Sequence, residues 1–118
     1  MADMHVPSDS RADLKGVIIW VCTYAIRNKF PDWTGINFDS AFASIARDLD
    51  HLEGKLGAVK AGKLRSMLEQ AKAHFEAGHA PGGDDWQITL GARLMQDMEY
   101  VLMDKAHEAY PADLWRWG

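Results

Sequence analysis

The stretch NFDSAFASIARDLDHLEGKL, residues 37–56, places Phe38, Phe42, Ile45, Leu49, Leu52 and Leu56 at alternating spacings of four and three. That rhythm matches the 3.6-residue turn of an α-helix and gathers six apolar side chains on one stripe. A helix of this kind needs other apolar faces to cover it, so the fold depends on what flanks it. Upstream, residues 29–36 contain Phe30-Pro31-Asp32-Trp33-Thr34-Gly35, where proline and glycine stop helix propagation. Before that loop, residues 10–28 read as a first helix, with Ser10 and Asp13 in capping-box spacing and a stripe of Leu14, Val17, Ile18, Val21 and Ala25.

Downstream, a glycine-punctuated connection over 54–62 is expected to lead into a third helix striped by Leu64, Met67, Leu68, Ala71 and Phe75 and stopped at Gly78. After the loop 79–83, Asp84 and Asp85 suit the start of a fourth helix, lined by Leu90, Leu94, Met98, Val101, Leu102 and Ala109 and limited by Pro111. No segment of useful length alternates with the two-residue period of a strand. The pattern predicts an all-α, single-domain antiparallel four-helix bundle or closely related helical fold over residues 1–118. Residues 1–9 would be an N-terminal tail and 112–118 an aromatic C-terminal tail. The expected core is Leu14, Ile18, Val21, Phe42, Ile45, Leu49, Leu68, Phe75, Leu94, Met98 and Val101.

Composition sets the outer limits. With 118 residues, 47% of them hydrophobic and 25% charged, the chain has room for one ordinary globular core. Thirteen Lys and Arg against seventeen Asp and Glu give a net charge of −4, which disfavours a strongly basic nucleic-acid binder. The single cysteine, Cys22, excludes an internal disulfide and fits a reducing compartment, so a cytoplasmic location is expected. Residues 16–26 form an uncharged, largely apolar run, but Asp3, Asp9 and Asp13 precede it and no small-x-small cleavage site follows, against a signal peptide. The run is also shorter than the roughly 20 residues of a membrane span, and no membrane partner is expected.

The chemical motifs mostly weaken on inspection. Asp48 with His51, and Asp104 with His107, repeat an Asp-x-x-His spacing that resembles half of a di-iron carboxylate site in a bundle. Yet the stripe of the second helix leaves Asp48 at its edge and His51 nearly opposite, so both pairs read as solvated surface residues. The run Gly57-Ala-Val-Lys-Ala-Gly62-Lys63 matches part of a phosphate-binding loop, but Leu64 stands where the Mg²⁺-binding hydroxyl belongs and no strand precedes it. Cys22 has no nearby histidine to activate it, and no serine occupies a nucleophile elbow. His74 and His79, five apart, do not stack on one face. Neither a cofactor nor a metal-ligand set is expected.

Two features survive. Residues 54–68 contain Lys55, Lys60, Lys63 and Arg65 without an acid, close to the positive end of the third helix dipole. On the first helix, Ile19, Trp20, Thr23 and Ile26 lie away from the main stripe, so this helix is apolar over most of its circumference. Its outer face calls for a cover, from Trp33, from the Trp115 and Trp117 tail, or from a second copy in a homodimer that uses Ile19, Trp20, Thr23 and Ile26. The expected function is therefore non-enzymatic protein–protein interaction, as a regulator, adaptor or inhibitor. That class includes phage-encoded inhibitors of host defence such as anti-CRISPR proteins. The expected contact residues are Lys55, Lys60, Lys63, Arg65, Trp33, Trp115 and Trp117. The alternatives are a small metal- or cofactor-dependent bundle enzyme using His51, His74 or His107, and nucleic-acid binding through 55–65.

Overall fold

The computed structural model describes residues 10–103. Asp104, His107, Ala109, Pro111, Trp115 and Trp117, and the segments expected as tails, lie outside the described residues. Among the described residues four helices form, α1 (Arg11–Ala25), α2 (Phe38–Leu56), α3 (Ala58–His79) and α4 (Asp85–Met103), with a short 3-10 turn at Asp32–Thr34 between α1 and α2. The described residues contain no strand, and the chain is an all-α bundle.

Local chemistry sets the boundaries. The Ser10 side chain accepts from the Asp13 N–H at 3.1 Å and starts α1. That helix ends at Ala25, three residues before the expected Asn28, because residues 26–28 tighten into a turn and Asn28 takes the left-handed φ of 50° that asparagine tolerates. A reciprocal capping box opens α2: Asn37 accepts from the Ser40 N–H, and the Ser40 hydroxyl accepts from the Asn37 N–H, both at 2.9 Å. Asp84 receives the Gln87 N–H at 3.1 Å at the head of α4.

The expected connection over 54–62 is absent. Gly57 alone separates α2 from α3, at φ 90° and ψ 148°, while Gly54 and Gly62 lie inside the helices. The buried Leu56, Ala61 and Leu64 explain the continuity. Each helix keeps an apolar face down to the junction, and that burial outweighs the roughly 1 kcal/mol that a helical glycine costs.

Each helix packs on its sequence neighbours, and α4 closes against α1. Ion pairs bridge the antiparallel α2 and α3: Asp39 with Lys72 at one end (3.4 Å) and Asp50 with Arg65 near the other (2.6 Å). Phe38, Phe42 and Phe75 form an aromatic cluster between α2 and α3, with ring centroids 4.8 to 6.4 Å apart. The inner face of α4 is turned from its expected position. Gly91, Met95, Met98 and Leu102 are buried, whereas Leu94 and Val101 are only half-buried. The cause is Gly91, which faces the Phe75 ring so closely that a Cβ there would stand 3.0 Å from it. Among the described residues, no helix is long and apolar enough to cross a membrane.

Candidate functional site

The structure separates the expected contact residues. Trp33 precedes α2, whereas Lys55, Lys60 and Lys63 surround its C-terminal end. The 19 residues of α2 hold these groups about 27 Å apart along the helix, so they do not form one compact patch. Arg65 is turned back on its own fold. Its Nη2 donates to Asp50 Oδ1 at 2.6 Å and to Glu53 Oε1 at 2.5 Å, and its Nε donates to Asp50 Oδ1 at 3.0 Å. These hydrogen bonds hold the guanidinium above its usual pKa and tie α3 to α2. Lys55 lies in the last turn of α2, where its charge suits the helix dipole.

Trp33 is 84% exposed on a well-braced turn. Beside it, the buried Thr34 donates its hydroxyl to Pro31 O at 2.6 Å and accepts the Ile36 N–H at 3.1 Å. The Thr34 N–H also reaches Pro31 O, and Gly35, at φ 69°, donates to Asp32 O. Loop sequence and an internal hydrogen-bond set therefore fix the backbone that carries the indole, while the indole itself stays in solvent.

The outer side of α1 divides into two flanks, because Trp20 and Ile26 are six residues apart and so about 120° apart around the helix. On one flank Trp20 packs on Tyr24 and Phe30, with centroids at 4.8 and 5.9 Å, so Phe30 provides the cover for which Trp33 was one candidate. On the other flank Ile19 and Ile26 remain 45% and 42% exposed. They line, with Cys22 and Thr23, a groove of about 470 Å³ whose opposite wall is Ile88, Thr89, Ala92, Arg93, Gln96 and Glu99 of α4. Sequence reading missed the α4 wall; its signal was the outward spacing of Ile88, Ala92 and Glu99. Arg93 also stacks over Trp86 at 5.2 Å. In this groove burial, reinforced by the Glu99 charge, pushes the Cys22 thiol up to about 11. Burial also raises the Glu99 carboxyl, against the pull of Lys15.

Other candidates change character. Asp48, expected at the surface, is buried at 1% exposure, because α2 is covered on both sides by α1 and α3 and its inner face is wider than one stripe. His51 is exposed. His74 donates from Nδ1 to Gln87 Oε1 at 2.7 Å, joining α3 to α4. His79 donates from Nε2 to Ala25 O at 2.7 Å and stacks on Phe75, joining α3 to the end of α1. Among the described residues, no three His, Cys, Asp or Glu side chains are grouped to hold a metal ion. Comparison with protein-family models, curated proteins and solved structures finds no match for the chain.

Proposed function

We propose that the protein acts by binding another protein, as a regulator, adaptor or inhibitor, and that the turn carrying Trp33 enters the contact. The observation that carries this reading is an 84% exposed tryptophan on a backbone held by the buried Thr34. A solvent-facing indole adds nothing to this chain's core, while indole rings are among the side chains that contribute most to interfaces. A rigid backbone beneath it lowers the ordering cost of association. Regulators and inhibitors, phage-encoded anti-CRISPR proteins among them, need no catalytic group for this work, only a stable body that presents such a side chain. The partner would offer an apolar pocket for the ring and a hydrogen-bond donor for the adjoining Asp32.

Affinity capture from the native host, with wild type and Trp33→Ala side by side, tests the reading. A partner retained by wild type and released at least tenfold faster by Trp33→Ala supports it. Capture indifferent to Trp33 but abolished by Lys60→Glu with Lys63→Glu would move the contact to the opposite end of the bundle. Turnover that depends on bound metal and on His51 would replace it with an enzyme.

A further inference from the structure

We propose that the α1–α4 groove seats a second copy of this chain, with the two α1 helices packed antiparallel about a two-fold axis. Ile19 of each copy then meets Ile26 of the other, and Cys22 and Thr23 of both copies flank the axis. A helix that fills a groove needs apolar side chains spaced by three and four residues. Ile19, Thr23 and Ile26 have that spacing and stand on the groove's own wall, and the Thr23 hydroxyl is satisfied within α1 by donating to Ile19 O at 2.9 Å. The groove and the stripe that fits it thus belong to one face, which is what a self-complementary two-fold contact requires. The midpoint of the stripe falls between Cys22 and Thr23, so a two-fold through that point exchanges Ile19 with Ile26 and Cys22 with Thr23, and the four groove-lining residues of α1 map onto themselves as a set.

Charge agrees. The chain carries −4, yet the groove contributes one cation, Arg93, and one anion, Glu99. Two acidic molecules can meet there across a wall without net charge. Trp86, 51% exposed and stacked under Arg93, extends the apolar rim. Trp20 has no part in the contact, since Tyr24 and Phe30 already cover it. From Ile88 to Glu99 the face is about 17 Å long. A face of that length is short for a stable interface, so a reversible dimer is expected.

Sedimentation equilibrium of the full chain across the micromolar range tests the proposal, with Ile19→Glu and Ile26→Glu as variants. Wild type is expected to pass from monomer to dimer, and each variant to weaken the dimer at least tenfold while keeping its helical far-UV spectrum. Thr23→Cys in a Cys22→Ala background should be joined to its copy by a short bis-maleimide, and the added Ile26→Glu should abolish that product. A monomer at every concentration overturns the proposal, whether the groove then stays open or takes a foreign helix. So does a dimer indifferent to both glutamates, or one that Thr23→Cys does not cross-link. Trp33 is not part of this face, so Trp33→Ala should leave the dimer intact, and this test stands apart from partner capture.

Discussion

Among single residues, glycines separate by what surrounds them. A Cβ added at Gly91 would stand 3.0 Å from Phe75 and 3.1 Å from Ala71 O, whereas one at Gly62 would meet nothing within 4 Å. Gly91→Ala is therefore expected to cost about 1 to 3 kcal/mol by overpacking, and Gly62→Ala to add about 1 kcal/mol by favouring helix; urea unfolding measures both. Glu99 gives a pH signature. Its folded carboxyl titrates above its unfolded value, so the native state holds more protons between the two, and stability falls as pH rises through that window. Glu99→Gln should remove that slope and raise the melting temperature at neutral pH, as thermal unfolding across pH would show. The pairing of Asp50 and Glu53 with Arg65 was not legible in the sequence, where four cations looked uncommitted. An ion pair fifteen residues apart becomes visible only once Gly57 folds α3 back on α2.

At the level of helices, the sequence was most informative where one stripe dominated. The stripe of α2, from Phe38 to Leu56, is buried or half-buried along its length, and its start at Asn37 matches the structure. It misled where apolar residues surrounded the helix. In α4, Leu90, Leu94 and Val101 outrank Met95 in hydrophobicity, but packing is decided by the gap that Gly91 leaves for Phe75, and shape is silent in a periodicity count. Glycine misled in the α2–α3 junction for a related reason, since only one of three is needed as a breaker. Gly57 holds φ 90° and ψ 148°, a region that side chains avoid, so Gly57→Ala should cost about 1 to 3 kcal/mol, again by urea unfolding, while Gly54→Ala should not. The Trp33 turn was legible as a loop, but its brace through the Thr34 hydroxyl was not.

For the molecule as a whole, Leu49 tests the common core, since it is fully buried where α2 meets its neighbours. Leu49→Ala should cost roughly 2 to 5 kcal/mol in urea without loss of the all-α far-UV spectrum. The connections are unequal: one residue links α2 to α3, the five residues 80–84 link α3 to α4, and the twelve residues 26–37 link α1 to α2. Short connections make the α2–α3–α4 contacts local in sequence, while α1 must close the longest loop to dock. Amide hydrogen exchange should accordingly find α1 less protected than the middle of α3, with α1 opening as one cooperative unit. Each such opening would carry away a wall of the groove, so occupancy of that groove should slow exchange along the whole of α1, including amides that no occupant touches.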